Sequence, residues 1–261
     1  MSSYSAYSGT GSDQLDPFDS RDSNLWRKAE YLGRYLFAAD FLRHRAIGLA
    51  ADISCGPGYG SAELASIFEE VVGIDSSQRM IDQAMNRCRQ PNVRFICLDL
   101  EEDDLCSHIP PESCGAVVSF ETLEHLNDPG GAADQISRVL MPEGFLICSV
   151  PNVIYEAGDD AGLPKNRSHK QWFSFPSLSR MVEGCGMRVI YRLGQSRSRA
   201  LFRREQQLFN AGRIEHRLTE EQTMHSPVMI RWLSYVAAYP TVEDVDGSYS
   251  IIIVAQKRGP E

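Results

Sequence analysis

From residue 48 to residue 150, short apolar runs bounded by turn residues alternate with segments whose apolar residues recur at helical spacing. The runs lack an apolar–polar alternation, which is typical of strands buried on both faces of a parallel sheet. The expected strands are 48–54, 71–75, 92–98, 115–120 and 144–150, and the expected helices are 60–69, 77–88 and 130–140. This repeated strand–helix order predicts a doubly wound, largely parallel α/β sheet.

The order of elements changes after Pro151. A loop at 152–170 leads to a predicted helix at 175–185 and a strand at 187–193, and a last strand is expected at 248–257. Ligands of open α/β sheets bind at the carboxyl ends of the strands. We therefore expect the functional residues in the loops that follow the strands.

Three segments lie around this predicted sheet. Residues 1–24 are rich in Ser, Tyr, Gly and Asp and predict a flexible arm, whereas apolar residues at helical spacing predict a helical cap at 25–45. Residues 196–246 are rich in Arg and predict a partly helical insertion, which we expect to form a lid over the acceptor, the molecule on which the protein acts. The α/β domain itself is expected to comprise residues 46–195 and 247–258.

A glycine loop follows the first predicted strand, with Gly56, Gly58 and Gly60 directly before a helix. Glycines allow the backbone to approach a ligand, and a helix N-terminus offers free N–H groups. At the end of the second strand, Asp75 supplies a carboxylate that can accept hydrogen bonds from ribose hydroxyls. The G-x-G-x-G spacing differs from the dinucleotide fingerprint, and the absence of a following Lys-Ser/Thr pair excludes a P-loop. The pattern indicates a nucleoside ligand.

Five motifs in order resemble the class I S-adenosylmethionine-dependent methyltransferases, including bacterial glycan, small-molecule and ubiquinone-pathway O-methyltransferases. They are DISCGPGYG at 52–60, GIDSS at 73–77, FICLDL at 95–100, SFETLEHL at 119–126 and RVLMPEG at 138–144. The resemblance covers about residues 31–192 and the last strand. It implies a Rossmann-like, seven-stranded, mostly parallel sheet with an antiparallel last strand. Ser54 and Glu143 depart from the family pattern, because each replaces a usual glycine in a turn.

The resemblance also implies S-adenosylmethionine as the cofactor. The glycine loop is expected beside its methionine part, Asp52 near its ammonium, Asp75 on the ribose, and Asp99 with Leu100 on the adenine. Tyr31 and Arg34 of the cap are expected to close over it. The full set expected at the cofactor is Tyr31, Arg34, Asp52, Gly56, Gly58, Gly60, Asp75, Ser76, Met80, Asp99, Leu100 and Phe120.

His125 is the first candidate for a catalytic base, since it follows the fourth strand and its ordinary pKa near ~6.5 suits proton removal from a hydroxyl. His169, in the loop after the fifth strand, is the second candidate. The residues expected to contact the acceptor are Glu121, Trp172, Arg203 and Arg204. The two arginines are chosen because guanidinium groups match carboxylates and phosphates.

The same region allows a metal-binding interpretation. Glu121, Glu124, His125 and His169 offer oxygen and nitrogen ligands that Mg²⁺, Mn²⁺ or Zn²⁺ accept. This set resembles the metal site of the small-RNA 3′-end 2′-O-methyltransferases, but the E-x-x-E-H-L run also resembles metal-free relatives. A metal is therefore not expected, and metal-dependent methylation of an RNA end is kept as an alternative.

Composition limits the remaining choices. The chain has 261 residues, 43% of them hydrophobic, which fits one large domain, or one domain with an embellishment. It has no uninterrupted apolar run of about 18 residues and no apolar signal segment at its polar start, so no membrane contact is expected. Its seven scattered cysteines include no C-x-x-C pair, which argues against a cysteine zinc site and fits a reducing cytoplasm.

The net charge of −9 argues against nonspecific nucleic-acid binding, although residues 165–217 carry 12 basic and 3 acidic side chains. The sequence therefore predicts a cytoplasmic S-adenosylmethionine-dependent O-methyltransferase, monomeric or homodimeric. Its predicted acceptor is a small hydroxylated molecule, either a sugar or a biosynthetic metabolite with an anionic group. A cofactor-binding regulator without methyl transfer is a further alternative.

Overall fold

A seven-stranded sheet forms the centre of the computed structural model, which describes residues 16–19, 24–45, 47–155, 166, 168–196, 211–212, 225–242 and 245–259. The strands are β1 (Leu49–Ile53), β2 (Glu70–Asp75), β3 (Val93–Cys97), β4 (Cys114–Phe120), β5 (Leu140–Pro151), β6 (Met187–Gln195) and β7 (Ser250–Lys257). Their order in the sheet is β3-β2-β1-β4-β5-β7-β6. Among the named strands that the structure describes, the two pairings of β7 are antiparallel and the others are parallel. The predicted seven-stranded, mostly parallel sheet with an antiparallel last strand is confirmed.

The helices lie near the predicted places, except that the helix expected at 60–69 ends at Leu64. They are α1 (Leu25–Leu42), α2 (Tyr59–Leu64), α3 (Gln78–Arg87), α4 (Pro129–Val139), α5 (Phe175–Gly184) and α6 (Pro227–Ala237), with short 3-10 turns at Leu105–Ser107, Leu123–His125 and Val153–Tyr155. Local chemistry sets several of these boundaries: the Asp128 carboxylate caps α4, and Ser174 forms a capping box at the start of α5. None of the described helices is long and apolar enough to cross a membrane.

Both faces of the sheet are buried, which explains why the strands lack an alternating pattern. All residues of β4 are buried. Its successive residues Val117 and Val118 belong to different hydrophobic clusters, one on each side of the sheet. The first cluster includes Leu178 of α5 and Ile136 of α4, and the second includes residues of α1 and α2. With helices on each face, the positions of the central strands favour apolar residues, whereas the edge strands β3 and β6 keep exposed positions.

The predicted insertion contributes a helix that docks on the cap. Ile230 and Leu233 of α6 pack against a buried face of α1 that includes Leu32 and Leu36. Arg231 of α6 forms an ion pair with Glu63 of α2. Residues 197–210 and 213–224 of the insertion, including Arg203 and Arg204, lie outside the described residues. The described part of the insertion therefore packs on α1 and α2, the two helices next to the glycine loop.

Two positions keep a glycine-like backbone without glycine. Ser54, in the turn after β1, has a φ of 58°, and Glu143, within β5, has a φ of 64°, both in the left-handed region. These are the two positions where the sequence departs from the family's usual glycine. A non-glycine residue in this region costs about 1 kcal/mol or more, so this backbone geometry is retained at some cost in stability.

Candidate active site

The ends of β1 and β2 are joined through the carboxylate of Asp75. Gly56 N donates to Asp75 Oδ2 and Ser77 N donates to Asp75 Oδ1, each at 2.9 Å. The side chain is almost fully buried, and this burial raises its pKa, whereas the two backbone bonds oppose the rise. Each oxygen retains a second lone pair after these bonds. Asp75 is therefore oriented by the glycine loop and can still accept hydrogen bonds from a ligand.

The glycines of the loop are also required by packing. A Cβ atom at Gly58 would lie 2.8 Å from Ala84 of α3 and 2.9 Å from the ring of Phe95 on β3. A Cβ atom at Gly60 would overlap the ring of Tyr35 on α1. The loop thus lies in close contact with α3, β3 and α1. The glycine spacing in the sequence did not predict this packing requirement.

Asp52 lies in the interior of the protein. It is fully buried, and its carboxylate accepts hydrogen bonds from Tyr35 Oη at 2.9 Å and from Ser61 Oγ at 2.6 Å. Burial raises the pKa of Asp52 to about 7, against the lowering effect of these two bonds. The sequence predicted Asp52 near the cofactor's ammonium, and the structure shows that each of its oxygens already accepts one hydrogen bond, from α1 or from α2.

The remaining residues expected at the cofactor occupy different environments. Met80 and Phe120 are buried, and the Phe120 ring packs edge-on against Tyr35 with centroids 4.9 Å apart. Leu100 is nearly buried, and Asp99 Oδ1 accepts a hydrogen bond from Glu101 N. Ser76 is exposed. Phe120, at the end of β4, therefore packs against the cap helix through Tyr35.

Arg34 of the cap reaches the end of β4. This buried side chain places Nη1 3.3 Å from Glu121 Oε1 and donates to Gln195 Oε1 at 3.1 Å. Ser149 Oγ donates to the same Glu121 oxygen at 2.7 Å. The guanidinium also lies over the ring of Tyr31, 4.6 Å from its centroid. The structure thus pairs Arg34, expected at the cofactor, with Glu121, expected at the acceptor. The sequence did not predict a role for Ser149 or Gln195, because neither lies in a recognisable motif.

Two histidines meet beside the end of β4. The amides of Lys170 and Gln171 donate to the carbonyl of Glu124 at 2.7 and 3.1 Å, which fixes the loop after β5 against the Leu123–His125 turn. The ring centroids of His125 and His169 are consequently 5.0 Å apart. The prediction that both lie at the same edge of the sheet agrees with this geometry.

Each ring is oriented by a neighbour. His125 Nδ1 lies 3.0 Å from the carbonyl oxygen of Ser168, and His169 Nε2 lies 2.8 Å from Asn166 Nδ2. A carbonyl can only accept, so His125 carries its proton on Nδ1 in the neutral form and keeps a lone pair on Nε2. That nitrogen is 3.7 Å from the buried carboxylate of Glu124.

The four residues of the alternative metal site do not all come together. One ligand atom from each of Glu124, His125 and His169 lies within 4.8 Å of the others. Glu121 has a φ of 51° and is engaged by Arg34 and Ser149. Glu121 is separate from the other three because β4 ends before it and Glu124 lies in the 3-10 turn that follows.

The aromatic residues after β5 separate into core and surface. Phe173 and Phe175 are buried, whereas Trp172 is 36% exposed beside the loop that carries His169. Trp172 is therefore free to contact an acceptor. Arg203 and Arg204, the other expected acceptor contacts, lie outside the described residues.

Comparison with known proteins identifies the class. The model of the "Methyltransferase domain" family matches residues 51–148. A Mycolicibacterium smegmatis protein named "probable S-adenosylmethionine-dependent methyltransferase" is 27% identical over 226 residues, which cover 82% of this chain and 84% of that protein. The ubiquinone biosynthesis O-methyltransferase of Methylococcus capsulatus is 28% identical over 103 residues, 40% of this chain and 43% of the relative.

Solved structures share the fold. An S-adenosylmethionine-dependent methyltransferase of Thermotoga maritima superimposes with a TM-score of 0.58 at 16% identity, covering 90% of this chain and 92% of the other. The family model, the curated relatives and the shared fold together support a class I S-adenosylmethionine-dependent methyltransferase. The protein is accordingly an enzyme, and S-adenosylmethionine is its cofactor.

The raised pKa of Asp52 predicts a pH-dependent stability. Between its ordinary value of 3.8 and about 7, folded Asp52 holds a proton that the unfolded chain has released, so the free energy of unfolding falls as the pH rises through this window. Asp75, whose pKa burial also raises, contributes in the same direction. In Asp52→Asn we expect a flatter dependence between pH 4 and 7, measured by urea unfolding at each pH. Parallel curves for the two proteins would show that Asp52 titrates normally.

Proposed function

We propose that the protein transfers a methyl group to a hydroxyl of a small acceptor, with His125 as the base. The observation that supports this most directly is the orientation of His125 by the Ser168 carbonyl, which leaves Nε2 as a proton acceptor. The side chain is 29% exposed at the carboxyl edge of the sheet. A base is needed for a hydroxyl acceptor, since an alcohol is a weak nucleophile until it loses its proton.

In the same proposal, Asp75 binds the ribose of the cofactor and the glycine loop lies along its methionine part. Two observations favour this fit. The Asp75 oxygens retain acceptor capacity beside the loop. Among the residues that the structure describes, the buried Arg34 Nε has no hydrogen-bond acceptor, which suits the carboxylate of the methionine part. When bound, S-adenosylmethionine supplies an electrophilic methyl group on a sulfonium.

Glu121 is assigned to the acceptor. Its Oε1 accepts from Ser149 and faces Arg34, and within the described residues no group bonds its Oε2. The left-handed backbone at Glu121 is a strained conformation of the kind that recurs at functional sites. Because one oxygen of this carboxylate is held in place, the other can accept a hydrogen bond from the hydroxyl of the acceptor molecule. This bond would orient the hydroxyl toward His125.

Oxygen as the methylated atom is supported by the curated relatives, because the Methylococcus capsulatus protein is by name an O-methyltransferase. A sugar or a biosynthetic metabolite with an anionic group is the acceptor class that we propose. The anionic group is suggested by the basic segment at 165–217 in the sequence. His169 serves beside His125 in this proposal, oriented by Asn166.

Replacing the ribose-binding carboxylate tests the cofactor assignment. Asp75→Ala should weaken S-adenosylhomocysteine binding by about 1.5 kcal/mol or more, because hydrogen bonds to a charged group are lost. Isothermal calorimetry measures the effect, and Asp82→Ala, on the exposed face of α3, serves as the control. Unchanged affinity in Asp75→Ala would remove the ribose assignment.

Replacing the base tests the chemistry. His125→Ala should reduce methyl transfer by about 100-fold or more, while its affinity for S-adenosylhomocysteine stays near that of the wild type. Transfer of a tritiated methyl group to a small-molecule extract gives the rate, and calorimetry gives the affinity. His108→Ala, an exposed histidine outside the site, is the matched control. Wild-type turnover in His125→Ala would exclude it as the base.

A second candidate is metal-dependent transfer to an RNA end, which the grouping of Glu124, His125 and His169 favours. One carboxylate and two imidazoles suit Mn²⁺ or Zn²⁺, with coordination positions left for an acceptor oxygen. In this alternative His125 is a ligand and cannot act as the base.

Chelation separates the two candidates. Under the principal proposal we expect methyl transfer to survive full chelation by EDTA. Activity that is lost in EDTA and restored by Mn²⁺, together with Mn²⁺ binding that is weaker in His169→Ala than in His108→Ala, would favour the metal-dependent alternative instead. The binding arm uses calorimetry and needs no acceptor.

A further inference from the structure

Tyr35 of the cap helix lies directly against the glycine loop. Its ring fills the space that a side chain at Gly60 would need, and it packs edge-on against Tyr59 and Phe120 at centroid distances of 5.2 and 4.9 Å. The ring is almost fully buried, and its hydroxyl donates to Asp52 Oδ1 at 2.9 Å. Tyr35 therefore contacts the loop after β1 and the end of β4 at once.

Asp52 joins this contact to a second helix. Its other oxygen accepts a hydrogen bond from Ser61 Oγ of α2 at 2.6 Å, and both Asp52 and Ser61 are fully buried. One carboxylate on β1 thus holds both α1 and α2. Since a buried carboxylate that loses a donor leaves an unsatisfied oxygen, separation of α1 from the loop is unfavourable.

We propose that Tyr35, Asp52 and Ser61 act as a cap-docking triad that fixes α1 over the glycine loop and thereby sets cofactor affinity without touching the cofactor. All three are positioning residues. The inference rests on the proposed function in one respect, namely that Tyr31 and Arg34 of α1 belong to the cofactor site. It replaces the direct contact between Asp52 and the ammonium that the sequence predicted.

The expected effect on affinity has a simple physical cause. A ligand that contacts both α1 and the glycine loop binds the docked arrangement of the two. If a substitution lowers the docked fraction, the apparent affinity falls by that fraction, although no contact with the ligand is removed. A direct contact, in contrast, affects only ligands that carry the contacted group.

Two ligands distinguish these cases. S-adenosylhomocysteine carries the ammonium and the carboxylate of the amino-acid part, whereas 5′-methylthioadenosine has the same adenosine and thioether without that part. Calorimetry on the full chain measures the affinity of both ligands for the wild type, Tyr35→Phe, Asp52→Asn and the double variant. Ser61→Ala is a further, milder variant, and thermal unfolding shows which variants are folded at the temperature of the titration.

For a cap-docking triad we expect Tyr35→Phe and Asp52→Asn each to lower the affinity for both ligands by about tenfold. The double variant should bind each ligand no more weakly than the single variant with the lower affinity, because both substitutions remove the same hydrogen bond between Tyr35 and Asp52. Tyr239→Phe is the matched control: Tyr239 Oη also donates to an aspartate of α1, Asp40, at 3.1 Å. Because this bond does not involve the glycine loop, wild-type affinities are expected.

Three outcomes would overturn the inference. One is a loss confined to S-adenosylhomocysteine in Asp52→Asn with unchanged binding in Tyr35→Phe, which would restore the direct ammonium contact. Another is equal weakening by Tyr239→Phe, which would attribute the effect to general loss of cap stability. The third is wild-type affinity in all variants. If the wild type bound neither ligand, the proposed cofactor site itself would fail, a result distinct from these three.

Discussion

The buried carboxylate of Asp52 is the constraint on which the arrangement of the site depends. It lies on β1 in the interior, where an ionised group is unfavourable unless it is hydrogen-bonded, and its donors come from α1 and α2. The cap, the glycine loop and the first helix after it must therefore keep a fixed relation. Gly60 follows from the same constraint, because the ring of Tyr35 occupies the volume of a side chain there.

The acceptor side is organised by the ends of β4 and β5. Glu121 is bound by Ser149 and paired with Arg34, while His125 and His169 are brought together by backbone bonds to Glu124. Arg34 also bonds Gln195 at the end of β6. The cap helix therefore contacts both halves of the proposed site: Tyr35 meets the glycine loop, and Arg34, assigned to the cofactor, also pairs with Glu121 on the acceptor side.

Helix α6 packs against the two helices that Asp52 connects, α1 and α2. It packs on α1 through Ile230 and Leu233 and pairs with α2 through Arg231 and Glu63. The segment inserted before the last strand thus supports the two helices that Asp52 joins. A sequence pattern could predict that this segment is partly helical, but not on which face of the domain it would dock, because its apolar face fits any complementary helix.

The sequence by itself determined the strand and helix order, the seven-stranded sheet and the glycine loop with Asp75, since these depend on local periodicity, turn residues and a contiguous motif. It also placed His125 and His169 at one edge, because parallel strands end on the same side. Tertiary structure alone decided that Glu121 separates from Glu124, that Asp52 is bonded by Tyr35 and Ser61, and that Arg34 pairs with Glu121. Each of these outcomes depends on how separate elements meet, and the physical reason is that burial and hydrogen-bond satisfaction are settled only when the elements pack together.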